Sequence, residues 1–83
     1  MTRPAHTFLE MQRRYLAIAD HNVAEAQKII AAERIKIANM QRQGLKISKA
    51  QSRLAILLIS LARFNEQRES LLRAMRNTEK SLA

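Results

Sequence analysis

Apolar residues recur every seven positions along the first half of this chain, at Leu9, Leu16, Val23, Ile30 and Ile37. The companion positions three residues later are Gln12, Ala19, Ala26, Glu33 and Met40. Eight of these ten are apolar, and a repeat near 3.5 residues is the seam of a packed helix. A second seam follows: Ala50, Leu54, Leu57, Leu61, Phe64, Arg68, Leu71, Met75, Thr78 and Leu82, again with eight apolar residues of ten. Neither half alternates with period two, so strands are not expected.

Helix breakers divide the pattern. The single glycine, Gly44, lies between the two seams, and the single proline, Pro4, lies before the first. Elsewhere nothing obliges the backbone to leave a helix. Gly44 suits the left-handed position after a helix end. Ser48 with Gln51 fits a capping box opening the second helix, and Thr2 or Thr7 is placed to cap the first, with Pro4 in or before its first turn. The reading is one domain spanning 1–83: a helix over about 5–42, a turn over about 43–47 and a helix over about 48–80. So short a turn makes the helices antiparallel. Helices of roughly 35 residues make a rod about 50 Å long. Folding about the turn brings Ile37 to Leu54, Ile30 to Leu61, Leu16 to Met75 and Phe64 to Ala26. The expected fold is an all-α, coiled-coil-like, antiparallel two-helix hairpin.

Apolar residues also spill beyond the seams. Phe8, Tyr15 and Ile29 flank the first and Leu58 and Leu72 the second, while Ile35, Ile56 and Ile59 stand on the far sides. Each isoleucine or leucine buried is worth ~1.5–3 kcal/mol, and a helix apolar nearly all round wants several neighbours. The chain is small and has no cysteine, hence no disulfide or thiolate zinc site to support its core. Self-association follows as an expectation, most simply a dimer forming a four-helix bundle. Ile29, Ile35, Ile56, Leu58 and Ile59 are the candidate interface residues. Glu33 and Arg68 break the seams with charge, either to set register across subunits or to snorkel to water.

Charge changes the picture further. The chain carries a net +8. Residues 1–33 are neutral overall, whereas residues 34–53 hold six cations and no acid: Arg34, Lys36, Arg42, Lys46, Lys49 and Arg53. The hairpin gathers them at its tip, where they create a strong local positive potential. Phosphate backbones are the commonest partners of such a patch. With no aromatic residue at the tip, base stacking is not offered and binding should be sequence-nonspecific. An acidic protein is a second candidate partner. A membrane surface, contacted through the apolar stretch 54–62, is a less favoured third.

Other chemistry finds little footing. His6 with Glu10, and His21 with Glu25, stand four residues apart, but one such pair is short of the three or four ligands a metal needs. No serine stands in a nucleophile's setting, and a single glycine cannot build a phosphate loop. The reading is non-enzymatic, with no metal, cofactor or small-molecule substrate. The most apolar run, 54–62, is too short to span a bilayer. The N-terminal stretch lacks the apolar core of a secretory signal, so a cytoplasmic location is expected.

The residues H-N-V-A-E-A-Q-K-I-I-A from His21, M-Q-R-Q-G from Met40, A-Q-S-R-L-A-I-L-L from Ala50 and R-E-S-L-L from Arg68 resemble short uncharacterised helical-hairpin proteins of alpha-proteobacteria. The resemblance covers about fifty residues. It implies a small bacterial helical hairpin and brings no activity with it. The resulting expectation is a helical binding or scaffolding module that self-associates and presents a basic tip to an anionic partner. The alternative is a protein-interaction or membrane-surface module using residues 54–62.

Overall fold

The computed structural model describes residues 4–83, with side chains from residue 7 onward. Two helices account for nearly all of it: α1 over Pro4–Arg42 and α2 over Ser48–Leu82. They pack against each other as an antiparallel hairpin, all-α as expected. Pro4 opens α1, where its missing N–H costs no helical bond. Thr7 lies inside that helix, and the alternative cap at Thr2 falls outside the described residues.

The turn has a defined hydrogen-bond pattern. Leu45 donates its N–H to the Met40 carbonyl at 2.9 Å, and Gly44 donates to Gln41 at 3.1 Å. Those two bonds form the Schellman motif, which satisfies carbonyls the helix end would leave open. Gly44 carries the required left-handed backbone, with φ of 71°. A Cβ added there would meet no atom within 4 Å, so a side chain would suffer backbone strain alone. Gly44→Ala should therefore cost about 1–2 kcal/mol, and Gly44→Asn less. Denaturant titration of the two variants checks this.

The capping box at Ser48 does not form. Ile47 occupies the N-cap position of α2, with φ −112° and no side-chain cap bond. Ser48 is already the first helical residue, so its hydroxyl stands one place too far along to cap. Ile47 is half-buried and precedes Leu54 by seven residues, so it extends the seam into the turn.

Every seam position in both helices is buried or half-buried. Leu9, Ala26, Ile30, Ala50 and Met75 form the most enclosed part, with Ala50 at 1% exposure. A small residue there lets the helices approach closely beside the turn. A burial repeat of seven held over so many turns requires a left-handed supercoil. Two ion pairs cross between the helices, Glu33 with Arg53 at 3.3 Å and Asp20 with Arg68 at 2.5 Å. They imply a register about one turn from the expected one. Ile37 comes level with Ala50, Ile30 with Leu57 and Leu16 with Leu71. The shift has a local cause: the seam of α2 begins at Ile47, inside the turn. The expected neighbours Ala26 and Phe64 still line one cavity.

Gln12 is the odd residue of the core. It is only 3% exposed, and its side-chain oxygen has no hydrogen-bond partner. An unsatisfied buried acceptor costs about 1–3 kcal/mol, so Gln12→Leu should raise the unfolding midpoint. Thermal denaturation reads the change directly.

The hairpin is a thin rod of 64 × 17 × 15 Å. It exceeds the expected length because α1 runs to 39 residues. Its radius of gyration is 18.8 Å, against about 12 Å for a compact chain of this size. Its accessible surface is 6478 Å², where a compact monomer of this mass exposes roughly 5,000 Å². The surplus, about 1,400 Å² on that scaling, is surface that one thin layer of core cannot cover.

Candidate anion-binding tip and apolar face

All six candidate cations are exposed, but they are not equivalent. Arg53 is committed to Glu33, whose side chain is only 14% exposed. A carboxylate in the seam needs a counter-charge, and Arg53 supplies it from the flank of the facing helix. Arg42 donates through Nη2 to the Asn39 side-chain oxygen, one turn back along α1. Arg34, Lys36, Lys46 and Lys49 make no hydrogen bond or ion pair, so their charge is available to a ligand. Helical spacing puts Lys36 and Lys49 on one side of the rod and Arg34 on the other, with Lys46 in the turn between them.

Both seam-breaking charges find partners inside the hairpin. Arg68 pairs with Asp20, and its Nη1 also reaches Glu69 at 3.4 Å. The hydrogen bond and charge of Asp20 raise the guanidinium's pKa above its ordinary value. The Glu33–Arg53 pair was not anticipated, because Arg53 had been counted with the tip. The signal for it was an acidic seam position with a flanking arginine across the turn.

The apolar spill-over is unevenly distributed. Phe8, Met11, Tyr15, Ile18, Ile29 and Ile56 are all between 42% and 63% exposed. Their spacing, i, i+3 and i+4 along α1, puts the first five on one side of that helix. Ile56 joins them from α2, since Ile29 and Ile56 line one cavity. Of the five candidate interface residues, Ile29 and Ile56 are thus brought together. Ile35, Leu58 and Ile59 are exposed too, but they line neither groove and stand on other sides of the rod. Met11, Ile18 and the turn residue Leu45 were missed as exposed apolar residues.

Two open cavities lie along this face. One, of about 340 Å³, is walled by Ala26, Ile29, Leu57 and Phe64, with His21, Asn22, Glu25 and Ser60 at its rim. The other, of about 310 Å³, adjoins it toward the tip between Ile29, Ile56, Leu57 and the Glu33–Arg53 pair. His21 and Glu25 do share a wall, but Glu25 also pairs with Lys28 at 3.7 Å. Among the described residues no third histidine or carboxylate joins them as a metal-ligating group. The His6–Glu10 pairing lies outside the described side chains. Ser52, Ser60 and Ser81 donate their hydroxyls to carbonyls one turn back, at 3.1 Å each. That is the ordinary bond of a serine on a helix surface.

Among the described residues no helix is long and apolar enough to cross a membrane. No family model matches the chain, and no curated protein or solved structure proves similar to it.

Proposed function

We propose that the protein is a non-enzymatic binding module that self-associates through its apolar surface and docks its basic tip on the phosphates of a nucleic acid, without sequence specificity. The observation that carries the reading is the cluster of unpaired cations at one end of a stiff rod. Arg34, Lys36, Lys46 and Lys49 are exposed and lack any intramolecular partner, and the nearest carboxylate, Glu33, is already taken by Arg53. A stiff rod holds such charges at fixed separations, so little ordering cost falls on binding. The test is titration of duplex DNA of two unrelated sequences at several salt concentrations, with Lys36, Lys46 and Lys49 replaced together by Gln as the variant. Equal affinity for both sequences and a steep salt dependence support the reading. Indifference to DNA at low salt overturns it.

A second reading has its own observation. Ile56, Leu58 and Ile59 are 39–63% exposed within the apolar stretch 54–62, as a protein-interaction or membrane-surface module requires. They face different sides of α2, so a single flat surface would reach only some of them.

A further inference from the structure

The apolar face carries two knobs and two holes in an order that a second copy of the same chain can use. Phe8 and Tyr15 stand seven residues apart on α1, 53% and 54% exposed. At helical rise they are about 10 Å apart along the rod. Further along the same face the two cavities follow each other, sharing Ile29 and Leu57 in their walls. Their centres are separated by about six residues, on the order of 9 Å. Reversing the direction of a second copy brings its Phe8 to the tip-side cavity and its Tyr15 to the other. The match is mutual, as a two-fold axis across the rod demands.

We propose that a second copy covers this face antiparallel, the Phe8 and Tyr15 of each chain filling the two cavities of the other. The proposal rests on the self-association part of the reading above and not on DNA binding. Both holes are mainly apolar with a polar edge, which suits an aromatic ring. Phe8 meets Ile29, Ile56 and Leu57, with the Glu33–Arg53 pair at the edge of the hole. Tyr15 meets Ala26 and Phe64 beside His21, Asn22 and Ser60. The Ser60 hydroxyl gives its proton to the Ile56 carbonyl and keeps acceptor capacity for a phenol.

Area and charge agree. Each exposed apolar side chain on the face leaves on the order of 100 Å² wet, so the six approach the roughly 800 Å² that a partner contributes to a stable interface. A parallel pairing would set Phe8 against Phe8, leave the cavities facing each other, and crowd two sets of tip cations together. The antiparallel pairing separates the tips by more than the rod's 64 Å length, well beyond a Debye length of ~8–10 Å. It also leaves them overhanging at opposite ends. Such a dimer can bridge two anionic segments.

The chain has no cysteine, so a single spin label can be placed at will. With Gln43→Cys labelled at the exposed tip, pulsed electron resonance should find tip-to-tip distances beyond about 60 Å. In sedimentation, Phe8→Ala and Tyr15→Ala should each weaken the dimer on the order of 30-fold or more, with helicity unchanged, whereas Ile59→Asp should leave it intact. A tip-to-tip distance below about 30 Å, or dissociation by Ile59→Asp alone, overturns this pairing while self-association stands. A stable monomer at micromolar concentration overturns both.

Discussion

Ile30→Asp unfolds the hairpin, and Ile35→Asp does not. The two isoleucines are five residues apart on the same helix, but Ile30 is 6% exposed and Ile35 is 63% exposed. Removing the buried side chain forfeits ~1.5–3 kcal/mol of burial. The carboxylate then either sits desolvated in the seam or forces the helices apart, which takes the loss past ~4 kcal/mol. A chain of this size has about 4–12 kcal/mol in all. The remaining enclosed residues, Leu9, Ala26, Ala50 and Met75, are too few to compensate. An isolated helix is marginal in water, so circular dichroism should show most of the helical signal gone. Ile35→Asp changes a wet position and should stay within about 0.5 kcal/mol of the parent. Equal effects from the two would contradict the burial pattern.

The contrast between Ile30 and Ile35 also shows what the sequence makes legible. Ile30 belongs to the seven-residue repeat, and every position of that repeat turned inward. Gly44 announced the turn because only glycine adopts its backbone without strain, and Pro4 marked the start of α1. The register was less legible. It depends on where the second seam begins, and Ile47 enters it from a residue that reads as turn. Ser48 illustrates the same difficulty: a Ser-x-x-Gln pattern one position late cannot cap. The tip was legible as a block of charge, but the sequence does not show which of its cations is compensated, since pairing depends on which flank Arg53 occupies opposite Glu33. The apolar face was the least legible. Periodicity identified Phe8, Tyr15, Ile29 and Ile56 as lying outside the seam. Only the packed hairpin shows that they share a side with two cavities.

Affinity for duplex DNA should fall about 40- to 150-fold between ~50 and ~200 mM salt. The figure comes from the tip's charge inventory. Of its six cations, Arg53 is bound to the carboxylate of Glu33, whereas Arg42 donates only to the neutral Asn39 amide and keeps its charge, as do the unpartnered Arg34, Lys36, Lys46 and Lys49. Each phosphate neutralised contributes about −0.9 to the log–log salt slope. Three to four contacts per hairpin therefore give roughly −2.7 to −3.6. Replacing Lys36, Lys46 and Lys49 together by Gln leaves Arg34 and Arg42 and should flatten the slope to about −1 to −2. The three are exposed and unpaired, so the variant should keep its helicity and unfolding midpoint. The loss should be equal for unrelated DNA sequences, because contacts to phosphate carry no sequence information. Arg13→Gln with Arg14→Gln removes two exposed cations nearer the other end of α1 and should leave the slope nearly unchanged. A slope that follows net charge, whichever cations are removed, would mean diffuse attraction to the whole basic rod and would refute a site at the tip.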